Sequence, residues 1–453
     1  MARQSGHHRH AQGLGYASHN DGDEEDPDDS PAMKDRRRRR RAAIFEVLPV
    51  LQDLDNIHRK ISRERRVRLV ILLLVTAFLF VSFRFYSGSG GGGHEAKVVK
   101  VAKGSSNLNR MDMPMRTVGG VRQACLQLLP ETELEQLKLP PVKDSVVKEI
   151  QYLDGGRNFA GDQSQAERMA TFRVQDTMQV HCGWCSGNGF DIDAFDTAFM
   201  KTCSVVVITC TFGGGDNLYQ PIGFVNASLS KVCYVAFWDE VTMQTQEEAG
   251  NRLDADRKIG LWRVVLVRNL PFADQRKNGK IPKMLGHRLF PNARFSIWTD
   301  SKSQFRRDPM GVLEALLWKP ESDFAISEHG ARSCVYKEAV AIVQKHKALP
   351  EEVAIQLDAY RLEGMPENLR IGGRKALAEA SVIVREHTPA TNLFMCVWFN
   401  EVMRFTARDQ LSFPYVLHRL PILNLNMFPV CTRKSLVNSI GHARKAAPLV
   451  VDS

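Results

Sequence analysis

A chain of 453 residues, 43% of them hydrophobic, is long enough for one large domain, but its two ends are too biased in composition to be globular. The formal charge of +10 suggests a basic protein, yet Arg36 to Arg41 supplies six of those charges in a single run. The remainder is only mildly basic, which argues against nucleic acid as a partner: a short Arg block beside an acidic one belongs to a tail, not to a folded reading surface.

Residues 1–66 read as a disordered cytosolic tail: a His-rich start with His7, His8 and His10, an acidic block from Asp21 to Asp29, then the Arg run. None of these can bury a core. From Leu69 to Phe83 every residue but Thr76 and Ser82 is apolar, and Arg84 can snorkel, so 67–86 is expected to be one transmembrane signal anchor. It lies too far from the N-terminus for a cleaved signal peptide. Arg59, Lys60, Arg63, Arg65, Arg66 and Arg68 crowd its near side, which keeps the N-terminus cytosolic and sends the rest to a lumen. A short span suits the thinner membranes of the early secretory pathway.

Ser87 to Gly93 is a flexible Gly/Ser linker, and 87–149 is expected to be linker and stem. All nine cysteines, Cys125 through Cys431, fall beyond the span, where an oxidising lumen pairs some and an odd count leaves at least one over. Asn226-Ala-Ser228 is a glycosylation sequon on the same side. From 150 to 425 strand-like and helical patterns alternate. The strands are Ser204 to Thr211, Val232 to Trp238, Trp262 to Val267, Phe295 to Thr299, Phe324 to Ser327 and Val382 to Arg385. Among the helices are Lys283 to Phe290 and Asn392 to Phe405. Such alternation predicts an α/β domain with a mostly parallel sheet covered by helices on both faces. Residues 426–453 are read as a basic tail.

Several stretches carry chemistry. His181-Cys182-Gly183-Trp184-Cys185 has no second CxxC to complete a zinc site. A structural disulfide, within the pair or to Cys203, Cys210 or Cys233, is the expectation. Thr211 to Asp216 ends the first strand in a Gly-rich turn whose bare backbone can approach a nucleotide, with Asp216 for a ribose or base edge. Asp239 closes the second strand. Lys277, Lys280, Lys283, His287 and Arg288 precede Phe295 to Thr299, which delivers Asp300 and, two positions on, Lys302: basic groups beside a strand-end Asp suit a diphosphate. Near the C-terminus Glu401 and Arg404 are spaced to pair on a helix, and Thr406 to Asp409 fits a capping box.

HCGWC, TCTFGGGDNLYQP, IGLWRVVLVRNLPFADQRKNGKIPK, HRLFPNARFSIWTDSKSQ, FAISEH, VIVREH and WFNEVMRFTARDQLSF together resemble the plant glycosyltransferase-like family of the mucilage-related hexosyltransferases and the turgor-regulation-defect protein. The resemblance covers roughly 180–416. It implies a type II Golgi membrane protein with a lumenal GT-A-like (Rossmann-like) domain, a nucleotide sugar donor, a pectic or other cell-wall polysaccharide acceptor, and Golgi co-enzymes as partners. It implies a rival too, since the turgor-regulation member has been assigned an alkaline ceramidase activity; a non-catalytic glycan-binding scaffold is the third reading. GT-A enzymes usually carry Asp-x-Asp at this strand end to hold manganese or magnesium. Here stands Asp300-Ser301-Lys302, so either His387 or Asp239 completes a metal site with Asp300, or Lys302 itself neutralises the diphosphate. On this reading Thr211 and Asp216 meet the nucleoside, and Lys283, Asp300 and Lys302 meet the diphosphate. Glu401 and Asp409 meet the acceptor, one of them as catalytic base.

Overall fold

The computed structural model describes residues 107–153, 163–183 and 189–442. The expected tail over 1–66 and anchor over 67–86 lie outside them, as does Cys185. Among the described residues no helix is long and apolar enough to cross a membrane.

Seven strands form the central sheet: β1 (Val205–Thr211), β2 (Cys233–Asp239), β3 (Trp262–Arg268), β4 (Phe295–Thr299), β5 (Phe324–Glu328), β6 (Ala378–Glu386) and β7 (Leu425–Phe428). Their order is β3-β2-β1-β4-β6-β5-β7, with the short strands Asp191–Ile192 and Lys258–Ile259 added along β3. From β3 to β4 the strands run parallel, and β7 runs parallel to β5. Between β4 and β5, β6 is antiparallel to both neighbours. The apolar runs follow from burial on both faces: on β1, Val206 and Ile208 enter one core cluster, and Val205 and Val207 enter the other.

The helices that position the site are α1 (Gln165–Ala170), α2 (Glu240–Glu248), α3 (Lys280–Met284), α4 (Gly286–Leu289), α5 (Pro350–Leu362), α6 (Pro389–Arg404) and α7 (Asp409–Arg419). The helix expected over Lys283 to Phe290 is thus two. Arg385, on β6, donates to the carbonyls of Lys283 (3.1 Å) and Met284 (3.3 Å), filling acceptors that a continuing helix would otherwise use. Gly286 lets the guanidinium approach, since a Cβ there would lie 2.6 Å from Arg385 Nη2.

The domain also runs past both expected limits. Of the supposed tail, β7 joins the sheet, and Val437–Ser439 pairs antiparallel with Ser303–Phe305. Of the supposed stem, Leu126 is buried in the core and Cys125 is joined to Cys431. Among the described residues the other disulfides are Cys203–Cys233 and Cys182–Cys396, so Cys182 passes over every partner expected for it and reaches α6.

Candidate active site

In an open α/β sheet the ligand crevice lies at the carboxyl ends of the strands, where the strand order reverses. Here that point falls between β1 and β4. β4 ends at Thr299, and Asp300 turns the chain: its N–H donates to Ser381 O (3.0 Å) and its carbonyl accepts from Ser303 N–H (3.0 Å). Asp300 Oδ1 accepts from the Trp298 indole at 2.9 Å and lies 3.7 Å from Lys283 Nζ, while Oδ2 lies 3.2 Å from Lys302 Nζ. Asp409, at the start of α7, holds Lys280 and Lys283 on one oxygen, both at 2.7 Å. Three lysines and two carboxylates therefore alternate from the core outward. Lys280, Lys283 and Asp409 are almost wholly covered, whereas the side chains of Asp300 and Lys302 keep 21% and 31% of their surface open.

Burial opposes every charge in this chain, and the partners decide the outcome. For Asp409 burial is outweighed by Lys280 and Lys283, and for Asp300 by Lys283 and then Lys302, so both carboxyls sit well below the usual carboxylate range. Lys283 has two carboxylates against its burial and is raised to about 12. Lys280 has Asp409 for its ion pair and the like charge of Lys283 nearby. There burial wins, and the amine falls to about 8. Buried Cys210 lies within the field of the same groups; its thiol is pushed far up by burial and then by Asp300, and is inert as a nucleophile.

The facing wall is the loop after β1. Thr211 is buried at the strand end. Gly213 and Gly214 both have φ of 68°, in the left-handed region that a Cβ disfavours. Asp239 fixes them, accepting from Gly213 N–H at 2.9 Å while capping α2 through Thr242 N–H at 2.9 Å; Thr242 Oγ1 in turn accepts from Gly214 N–H. Asp216 Oδ2 accepts from Ser301 Oγ at 2.7 Å and lies 3.0 Å from His442 Nδ1. A carboxylate only accepts, so Nδ1 carries the hydrogen of this contact, and Nε2 is the ring nitrogen left to take up a proton. The His442 side chain is 58% exposed. Sequence reasoning missed it by setting the C-terminal residues aside as a tail; backbone bonds from Ile440 and Gly441 to Lys302 O bring it here.

The structure leaves two expected residues outside this edge. His387 follows β6, which runs against β4 with Glu386 opposite Phe295, so His387 sits at the start of β4 and Asp300 at its end. Five strand residues, about 16 Å of extended chain, separate them. Both ring nitrogens are occupied, Nε2 by Ser296 Oγ (2.7 Å) and Nδ1 by Ala293 O (2.8 Å). Burial, then Arg385, lowers its pKa to about 3. His387 and Asp300 cannot share a metal. Asp239 is spent on the Gly213 loop, and both oxygens of Asp300 face ammonium groups, so the expected cation does not fit there.

Glu401 is not positioned as a base either. Its two oxygens accept from Arg168 on α1 at 2.5 and 3.0 Å, and Arg168 also engages Glu363 and Tyr415, whose ring stacks on Tyr360 at 3.9 Å. The i,i+3 pair with Arg404 gives way to this buried bidentate one. Glu401→Gln is expected to cost about 2–3 kcal/mol of stability, the worth of a charged hydrogen bond, with donor turnover per folded chain unchanged. Denaturant unfolding beside steady-state kinetics checks both. Asp409, too, is engaged as a salt-bridge centre, and the capping box does not form, because Thr406 Oγ1 donates to Gln356 at 2.8 Å.

The family described as TOD1/MUCI70, glycosyltransferase-like domain, matches residues 143–442. The chain belongs to this family. Two Arabidopsis thaliana members are similar to it. "Probable hexosyltransferase MUCI70" is 40% identical over 296 residues, covering 62% of this chain and 51% of that protein. "Alkaline ceramidase TOD1" is 31% identical over 326 residues, covering 69% and 70%. The chain thus spans about half the length of the first. Among solved structures, apo mouse xyloside xylosyltransferase 1 aligns with a TM-score of 0.30 at 8% identity, over 50% of this chain and 84% of that one, a likeness too slight to carry an argument. The TOD1/MUCI70 match begins before the sheet and ends at His442, so the family's domain includes the last contact of the site.

Proposed function

We propose that this chain is a Golgi type II glycosyltransferase, moving a hexose from a nucleotide sugar to a cell-wall polysaccharide of pectic or mucilage type. Family membership supports the class. One observation carries the site: at the strand-order reversal, Lys302 and Asp300 open to solvent above the buried Lys283–Asp409 pair, facing the loop that ends in Asp216. The nucleoside lies along Thr211 to Asp216. The diphosphate lies at Lys302, which neutralises the charge that builds on the leaving oxygen, with the buried charge of Lys283 beneath it. The bond from the anomeric carbon to that oxygen breaks, the acceptor oxygen bonds to the carbon, and the acceptor proton goes to His442 Nε2, whose ring Asp216 orients. Asp300 and Asp409 keep the lysines placed and charged. No step passes through a divalent cation.

Isothermal calorimetry of the full chain with nucleoside diphosphates, in manganese and in chelator, tests this. Binding of at least one nucleotide, with the same affinity in chelator, is expected; binding to none sinks the transferase, and binding abolished by chelator sinks the lysine-only site. The ceramidase reading draws on the name of one relative. A serine hydrolase needs its hydroxyl on a histidine base, yet Ser301 donates to Asp216, and His442 meets the same carboxylate oxygen and not the serine.

A further inference from the structure

Behind the charged edge, Cys182, Cys396 and His287 meet in the core, all three buried. They come from three elements: the segment after strand Thr177–Val180, α6, and α4. His287 Nε2 points at both sulfurs, 3.5 Å from Cys182 Sγ and 3.3 Å from Cys396 Sγ. His287 Nδ1 has no hydrogen-bond partner among the described residues. With the sulfurs joined as a disulfide, neither tautomer of the neutral ring is satisfied. A proton on Nδ1 leaves that N–H unpaired and turns the Nε2 lone pair towards sulfurs that have nothing to donate. A proton on Nε2 finds only weak sulfur acceptors and leaves the Nδ1 lone pair bare. A buried polar group in that position is costly and calls for a partner.

A metal on Nε2 supplies one for that lone pair, with the ring proton on Nδ1. Zn–S of about 2.3 Å and Zn–N of about 2.0–2.1 Å set a sulfur and a nitrogen about 3.5 Å apart on neighbouring corners of a tetrahedron. The two nitrogen–sulfur separations here already have that length. What remains is for the sulfurs to part. Asn400 Nδ2 donates to His181 O at 2.7 Å, pinning the backbone beside Cys182 to the helix that carries Cys396, so opening the disulfide does not release the segment.

We propose that Cys182, Cys396 and His287 are a zinc site of the reduced chain, of which the disulfide is the oxidised, metal-free form. A dithiol reductant gives two electrons to the disulfide and leaves as its own cyclic disulfide. The two thiols so formed lose their protons to solvent as zinc takes both thiolates and the Nε2 lone pair, releasing two protons per zinc. Either state ties the same three elements together, and α4 directly follows the helix bearing Lys283, so the site edge keeps its support in both.

The test uses the full chain in detergent, reduced with a dithiol, freed of it under argon and titrated with zinc chloride. One zinc per chain is expected, with Cys182 and Cys396 protected from alkylation while the partly exposed Cys334 stays reactive. Cobalt(II) in place of zinc should give a thiolate charge-transfer band in the near ultraviolet. His287→Gln is expected to weaken zinc by about tenfold or more. If that variant does not fold, the alkylation pattern of the unaltered chain decides. Equal alkylation of Cys182 and Cys396 with and without zinc, or unchanged affinity in a folded His287→Gln chain, overturns the proposal.

Discussion

Asp409→Ala should cost about 3–5 kcal/mol of folding stability, the penalty for removing one partner from a buried ion pair. Lys280 and Lys283 would then face each other in the core with Asp300 as the remaining neighbour, 3.7 Å from Lys283. Because the penalty comes from uncompensated charge and not from lost volume, adding Lys280→Met to Asp409→Ala should return part of the loss. Urea unfolding of the unaltered chain and the two variants measures it. A loss under about 1 kcal/mol, the range of an exposed pair, or no recovery in the double variant, would contradict the account.

The same carboxylates set an acid limit. Asp300 and Asp409 have folded pKa values well below the ordinary carboxylate range, each carboxylate being held against its burial by lysines. Their contribution is fully present above the unfolded aspartate value of about 3.9. As pH falls below that value the unfolded chain takes up protons that the folded chain refuses, so stability drops towards the folded values. The gap between the unaltered chain and Asp409→Ala should therefore narrow as pH falls below about 4.

Lys302→Met should lower kcat about 10²–10³-fold, the usual loss when one charge-stabilising group at a leaving oxygen is removed. Stability should hardly change, because the Lys302–Asp300 pair is partly solvated and screened. Lys302→Arg keeps the charge and should recover part of the rate. Steady-state turnover of the donor found by calorimetry checks both; an unaffected kcat in Lys302→Met would remove Lys302 from the site. Lys302 stands where the resemblance leads one to expect the second carboxylate of Asp-x-Asp, and Lys283 and Lys302 both face the first, Asp300.

Much of the site's frame is legible in the sequence because it is local. The apolar run from Phe295 to Thr299 marks β4 to the residue, and the turn after it marks Asp300 as a strand-end carboxylate. The Gly-rich turn after β1 is equally plain. What failed was everything that depends on a strand's direction or a distant partner. Val382 to Arg385 is recognisable as strand, but nothing local says that it runs antiparallel between β4 and β5, and that reversal carries His387 to the wrong end of the sheet. Glu401 has a plausible partner at Arg404 by helical spacing; the buried partner is Arg168, 233 residues earlier. Cys182 has near neighbours in sequence, yet its disulfide partner is 214 residues away.

In the sequence by itself the quoted motifs pointed to the family, and six strands of the sheet and the residues that end β1 and β4 were marked, since backbone preferences and apolar periodicity act over a few residues. Only the tertiary structure decided which charges meet. It placed Asp409 on Lys280 and Lys283, withdrew Glu401 and His387, and brought His442 onto Asp216. A buried charge is set by whatever partner lies within a few ångströms of it, and in this chain those partners are far apart in sequence.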